Sequence, residues 1–327
     1  MALGQEQQVP PAGASARVSV PASSANLGAG YDCVGLALGL RDDYVLTVTD
    51  RPGLVVDNSG EGADRLSRGE DHLVARALRV GWESCGLPWL DGLAQHGRGL
   101  RLRCDNAIPM SAGLGSSAAA LVGGLGLAHA LVRDGALTDD DRTLVNTQAG
   151  LLEGHPDNAS ASVYGGMTLS WLPSERAVRS VRLEVHEDIE PVVLVPEGER
   201  LSTRTARQVL PPHVPHSEAV RQAGRAALLV HAMTVDPSLL LDATQDWLHQ
   251  EYRRRAYPTT MAAVDGLRAQ GHAAVVSGAG PTVLVLARAA WAEQVVDEVR
   301  GWGPGWRSLR PGVARDGLTV RPVPSAV

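Results

Sequence analysis

The stretch whose reading decides the fold is Ala107–Gly124, "AIPMSAGLGSSAAALVGG". It has the glycines and serines of a loop that wraps a phosphate, and it opens into an Ala/Leu run. Gly113 and Gly115 let the backbone turn tightly and approach a ligand without a Cβ in the way. A helix predicted from about Ser117 to Val132 aims its free N–H groups and positive dipole end at an anion. Ser116 and Ser117 stand where a hydroxyl caps that helix or reaches a phosphate-bound Mg²⁺. A plainer reading fits the same residues: a glycine-bounded loop with a serine N-cap before an ordinary core helix. The stretch alone leaves both open.

The 327-residue chain contains no lysine. A Walker loop needs a lysine on its phosphates, a protein kinase needs its strand lysine, and a pyridoxal enzyme needs one for its Schiff base. All three are excluded. A dinucleotide fold fails on spacing, because Gly113 to Ala118 has no third glycine and no ribose-binding acid in the expected setting.

A mass of 34.4 kDa is comfortable for two packed domains. Hydrophobic residues at 44% and charged residues at 20% are ordinary for a soluble enzyme. The net charge of −6 offers no general attraction to nucleic acid or an anionic membrane, so neither is expected as a partner. All 30 basic residues are arginines, the better fork for carboxylate and phosphate. Cys33, Cys85 and Cys104 are far apart and form no CxxC pair, which fits a reducing cytoplasm. The opening "MALGQEQQVPPAGASA" lacks the basic and apolar regions of a signal peptide. No apolar run approaches the roughly 18 residues of a membrane span.

Along the chain, residues 1–16 read as a disordered lead-in. Alternating runs at Arg17–Pro21, Tyr44–Asp50 and Gly99–Asp105 read as strands. A polar loop over 58–71 precedes a helix near His72–Cys85, and "TDDDR" introduces a helix near Thr138–Glu153. A strand starts in "GGMTLSW" (165–171), followed by strands at Val181–Val185 and Pro191–Pro196. Helices follow near 202–209, 217–234 and 258–270, then β-runs "AAVVS" and "TVLVLA" either side of "GAGP". Both halves mix strands and helices, so the class is α+β in two units, 17–172 and 173–327.

Four further segments carry polar chemistry. In "PASSANLGAGYD" (21–32), Asn26 and Asp32 can receive an ammonium group or hold a glycine-rich turn. "EGHPDN" (153–158) packs Glu, His, Asp and Asn into six residues, and Glu153 is a ligand suited to Mg²⁺. In "LSTRTARQVLP" (201–211), Thr203 and Arg207 share a helix face. "SGAGPT" (277–282) reads as a tight connection between strands, and "HQEYRRRAYP" (249–258) as a solvated arginine cluster.

Singly, each plain reading stands. Together and in this order, the segments resemble the GHMP small-molecule kinases, and within them the homoserine kinase family, over about 17 to 290. The resemblance implies an N-terminal ribosomal-S5-like α/β domain and a C-terminal ferredoxin-like domain. It implies ATP- and Mg²⁺-dependent phosphorylation of the L-homoserine hydroxyl, the step that leads to threonine. In such kinases the phosphates lie on backbone amides, which accounts for a loop without lysine.

By the family pattern, Pro109, Met110, Ser111, Ala112, Gly113, Leu114, Gly115, Ser116, Ser117, Ala118 and Ala119 cradle ATP, with His72 on the adenine side. Ser117, more than Ser116, joins Glu153 on Mg²⁺. Asn26, Asp32, His155, Arg207, Arg253 and Gly278 fall at substrate positions, which suits a zwitterion. Arg207 near the γ-phosphate and Thr203 join Asn158 in catalysis. Asn158 orients the hydroxyl, with Asp157 the alternative as a base. Tyr31, Glu251 and His72 stand where the family usually has Phe, Pro and Asn, and Glu251 is placed to compete for Arg253. The alternatives are a kinase of this superfamily for another hydroxylated metabolite, or a non-catalytic sensor, against which Ser117 and Glu153 argue. A homodimer is compatible with this reading.

Overall fold

The structure, a computed structural model, describes residues 9–198, 203–302 and 305–323, the side chains of Thr203 and Arg204 excepted. Its strands are β1 (Ser15–Asn26), β2 (Gly30–Thr49), β3 (Gly53–Gly60), β4 (Gly99–Asn106), β5 (Met167–Ser174), β6 (Ala177–Leu183), β7 (Ile189–Pro196), β8 (Ala274–Val276), β9 (Val283–Arg288), β10 (Trp306–Leu309) and β11 (Thr319–Arg321). They form two sheets. One runs β11-β1-β2-β4-β3, with β5 on β2 and β6 on β5; the other runs β10-β7-β9-β8. The α+β class follows.

β1 and β2 are longer than the alternating pattern predicts. β1 continues through the "PASSAN" segment to Asn26, although the turn reading ended the strand there. Its small side chains are buried on both faces, so no polar alternation marks the strand. β1 also begins inside the segment expected as lead-in, since Ser15 and Ala16 pair with Thr47 and Leu46 of β2. Residues 1–8 of that segment lie outside the described residues. The polar loop expected from 58 starts late, because 58–60 complete β3 beside β4.

The helix Ser116–Val132 is buried almost all round, as its Ala/Leu/Gly composition requires. It packs between β1 and the helices Leu73–Ser84 and Asp139–Glu153, which cover it from outside. In the second sheet, side chains alternate between two cores. Val192, Leu194, Val283, Val285 and Ala287 face the helices Pro258–Ala269 and Ala292–Arg300. Val193, Leu284 and Leu286 face the larger core, which takes in Leu229 and Met233 of the helix His216–Thr234. The first sheet draws strands from both sides of residue 172: β6 follows it, and β11 returns from residue 319.

Candidate active site

The glycine loop leaves β4 and meets the end of β1 and the Ser277–Pro281 turn. Ser111, Gly113 and Gly115 all have φ in the left-handed region, at 54°, 80° and 70°. A Cβ on Gly113 would collide with the Ser277 carbonyl oxygen, and one on Gly115 with the Ser23 hydroxyl. Glycine is therefore needed for close packing as well as for φ. Ser277 Oγ lies 2.6 Å from the Gly113 carbonyl oxygen and ties the two turns together.

The helix begins at Ser116 behind a left-handed Gly115 cap that offers no side-chain acceptor. The expected serine cap does not form; Ser116 and Ser117 are first-turn residues. Ala112, Leu114, Ala118 and Ala119 bury their side chains, so only their backbone is available to a ligand. Ser117 is exposed, and its hydroxyl donates to Glu153 Oε2 at 3.0 Å. Glu153 ends the helix that a Thr138–Asp141 capping box begins. Burial is the chief cause that pushes the Glu153 carboxyl above its ordinary value, against the lowering pull of His155 and the Ser117 hydrogen bond. A hydroxyl and a carboxylate under-supplied with positive charge suit a hard cation whose remaining ligands are phosphates and water. Among the described residues, no three His, Cys, Asp or Glu side chains gather around a common point.

"EGHPDN" leaves that helix and starts the next, Asp157–Tyr164. His155 Nδ1 lies 2.6 Å from Asp157 Oδ1, which also accepts the Asn158 backbone N–H at 2.7 Å. Burial alone would push the His155 imidazole down, but the hydrogen bond and charge of Asp157 outweigh it and raise its pKa. Asn158 Oδ1 accepts the Ser23 hydroxyl at 3.0 Å.

Across the cleft, Asp32 is held in a left-handed conformation (φ 57°), its N–H donating to Asn26 Oδ1 at 3.0 Å. The Asn26 amide donates in turn to the Gly278 carbonyl at 2.9 Å. Arg207, on the short helix Thr203–Gln208, donates to both oxygens of Asp32, at 2.6 and 3.0 Å. Thr203 opens that helix, and its side chain lies outside the described residues.

Arg253 is not part of a solvated cluster, the plain reading of its segment: it is 2% exposed. Its guanidinium donates to the carbonyls of Ala206 (2.9 Å) and Gly278 (3.3 Å) and lies 3.3 Å from His249 Nδ1. Glu251 does not compete for it. Glu251 pairs with Arg254, which also holds Asp265. The two differ because 254 begins a tighter turn that swings outward while 253 ends a helix facing the core. Tyr31 collects this half of the site. Its ring stacks on His249 at 5.1 Å, with Arg253 and Arg207 at 5.7 and 5.9 Å from its centre.

Asn26, Tyr31, Asp32, His155, Asp157, Asn158, Arg207, Arg253 and Gly278 thus line one cavity of about 230 Å³ with Ser117 and Glu153. A second, of about 180 Å³, lies behind the loop between Asp42, Tyr44, His72, Asn106 and Met110. Both ring nitrogens of buried His72 and the amide nitrogen of Asn106 have no hydrogen-bond partner there. Unpartnered donors and acceptors beside a cavity mark a place for a polar, flat ligand. Asn106 and His249 were missed by the sequence reading. One ends a strand, the other contacts Gly28, 221 residues away, and no local pattern marks either.

Residues 72–166 match the GHMP kinases N terminal domain and residues 219–305 the GHMP kinases C terminal domain. A homoserine kinase of Streptomyces coelicolor is 48% identical over 313 residues, covering 96% of either chain. The chain belongs to the homoserine kinase family of GHMP kinases. The homoserine kinase of Cutibacterium acnes is 50% identical over 283 residues, or 86% of this chain and 92% of that one. Among solved structures, a homoserine kinase from Cytophaga hutchinsonii superposes with a TM-score of 0.80 at 24% identity, over 96% of this chain and 99% of that one. A mevalonate diphosphate decarboxylase from Staphylococcus aureus (TM-score 0.65, 16% identity, 94% and 98% covered) shares the fold. No helix among the described residues is long and apolar enough to cross a membrane.

Proposed function

We propose that this chain transfers the γ-phosphoryl group of ATP to the side-chain hydroxyl of L-homoserine. The observation that carries the reading is one cavity in which a carboxylate (Asp32) and a buried guanidinium (Arg253) lie beside the glycine loop and the Ser117–Glu153 pair. An ammonium–carboxylate zwitterion needs the first pair, and a phosphate the second. Adenine suits the cavity with the unpartnered His72 and Asn106 nitrogens. The loop amides and the start of the helix Ser116–Val132 hold the phosphates.

Ser117 and Glu153 would hold Mg²⁺, which supplies charge neutralisation as the phosphoryl group moves. Asp32 takes the substrate ammonium, Arg253 its carboxylate, and Arg207 the charge developing on the γ-phosphate. In the reaction the hydroxyl oxygen bonds to the γ-phosphorus. The bond to the β,γ-bridging oxygen breaks with its electrons leaving on ADP, and the hydroxyl proton passes by way of a phosphoryl oxygen to solvent. Asn158 orients that hydroxyl; Asp157, its carboxylate engaged by His155, fits less well as a free base. Thr203 joins this group by family pattern. We place the domain boundary near residue 172, the chain in the cytoplasm, and leave room for a homodimer.

The test is a coupled ADP-release assay across homoserine, mevalonate, shikimate and galactose. Turnover selective for homoserine is expected. Selectivity for another alcohol would reassign the substrate, and ATP binding without any turnover would make the chain a sensor.

A further inference from the structure

Arg207 stands at a junction. It lines the 230 Å³ cavity that joins Asp32 to the glycine loop, and also a neighbouring cleft of about 680 Å³ that shares Ser117, Glu153 and His155 with it. Its guanidinium is held on the Asp32 side, donating to both oxygens of that carboxylate. Tyr31 reinforces the posture, with its ring under the guanidinium and its hydroxyl 3.4 Å from one nitrogen. Asp32 cannot follow Arg207 elsewhere, because its own N–H is anchored to Asn26. The two side chains are 34% and 35% exposed, so a small cation from solvent can compete for Asp32.

We propose that Asp32 withholds Arg207 from the nucleotide until a substrate ammonium takes its place, making an α-amino group a condition of phosphoryl transfer. The inference rests on the reading of the cleft as a kinase site for an amino alcohol. It assigns Asp32 a second role as the residue that restrains a catalytic arginine. The exchange at Asp32 is one cation for another, so the half-buried carboxylate is never left without a counter-charge. Once released, the guanidinium is free to swing toward Ser117 and Glu153 at the loop end of the cavity, where an arginine stabilises the charge of the transition state. The benefit is restraint of the side reaction with water. In that reaction a water oxygen bonds to the γ-phosphorus, the β,γ-bridging oxygen leaves with its electrons on ADP, and the water's protons pass to phosphate and solvent.

The experiment reads homoserine-independent ADP release. L-2-aminobutyrate has the ammonium and carboxylate of homoserine but no hydroxyl, and it leaves space for a water. Added to the wild-type enzyme with ATP and Mg²⁺, it should raise hydrolysis by at least roughly ten-fold, a small part of the roughly 10³–10⁵ that a placed arginine supplies. Butyrate, which lacks the ammonium, should leave the rate at its basal level. Asp32→Asn should raise hydrolysis with no amino acid present, and adding Arg207→Met to it should abolish that increase. The proposal is overturned if 2-aminobutyrate competes with homoserine yet leaves hydrolysis unchanged. It is equally overturned if folded, ATP-binding Asp32→Asn hydrolyses no faster than wild type. Phosphorylation of homoserine by the wild type, measured in parallel, tests the kinase reading separately from the restraint.

Discussion

Replacing Arg253 by lysine keeps a positive charge and removes the fork, and the structure says what that costs. The guanidinium reaches the carbonyls of Ala206 and Gly278 together, with His249 Nδ1 at 3.3 Å. A lysine has no Nε–H to spare for Ala206 and a single nitrogen to divide among the rest. At 2% exposure, water does not make good the loss. One charge-assisted hydrogen bond is worth roughly 1.5–3 kcal/mol. If the same nitrogen must also meet the substrate carboxylate, the KM for homoserine rises about ten- to a hundred-fold. Ala206 precedes Arg207, so the lost contact also loosens the helix that carries the arginine proposed to act on the γ-phosphate, and kcat should fall with it. The KM for ATP should stay within about two-fold, because the nucleotide rests on loop amides that Arg253 does not touch. Steady-state kinetics with both substrates varied decide. An unchanged homoserine KM in a folded variant would refute the reasoning and move the carboxylate to Arg207.

Three further outcomes are expected. Glu153→Gln should bind ATP nearly as well as wild type while kcat falls by roughly two orders of magnitude, as does removal of divalent cations by EDTA, because charge compensation matters most in the transition state; near-normal kcat would remove Glu153 from the metal. His72→Leu should raise the KM for ATP yet raise the Tm of the ATP-free protein, since it deletes two buried ring nitrogens without partners; a lowered Tm with normal ATP KM would contradict both halves. Burial pushes the Asp42 carboxyl up to about 6 despite hydrogen bonds from the Ala107 and Ile108 N–H groups and Tyr44. Its unfolded value is about 3.9, so the folded state holds the proton longer and Asp42 costs stability as pH rises through that window, by up to roughly 3 kcal/mol. Asp42→Asn can keep all three partners, so urea unfolding should show its stability relative to wild type improving between about pH 4 and about pH 7. A difference independent of pH would show that Asp42 does not titrate there.

What the sequence disclosed and what it hid follow from the range of the forces involved. The loop 109–119 is constrained locally, by left-handed φ values and the start of a helix, so its glycines and serines mark it in the chain itself. The capping box at Thr138 is local in the same way. Arg253 is different: three consecutive arginines read as solvent-facing, and only contacts with Ala206 and Gly278 from separate segments, beside His249 one turn back, draw one of them into the core. No local pattern singles out Asp42; β2 carries it beneath the loop, where two backbone N–H groups need an acceptor. β11 is three residues long and is a strand only because β1 offers it an edge. The missing signals belong to tertiary partners.

The absence of lysine acquires a physical sense at Asp32. A lysine at position 207 would present Asp32 with an ammonium, the same group that the substrate brings. The two would compete on equal terms, and a flexible tethered ammonium would rebind as readily as the substrate displaced it. A guanidinium differs in the ways that matter here. It spans both carboxylate oxygens at once, lies over the Tyr31 ring at 5.9 Å from its centre, and is more weakly hydrated than an ammonium. It therefore holds Asp32 firmly while the site is empty. A compact ammonium, fixed to a carboxylate that Arg253 receives, can take one oxygen while the fork loses both bonds together. Discrimination then comes from geometry, since the charge on Asp32 is matched before and after. The same guanidinium, once released, presents its fork to phosphate oxygens as it did to the carboxylate. One planar cation can serve both partners in turn, which a loop lysine fixed on the phosphates could not do.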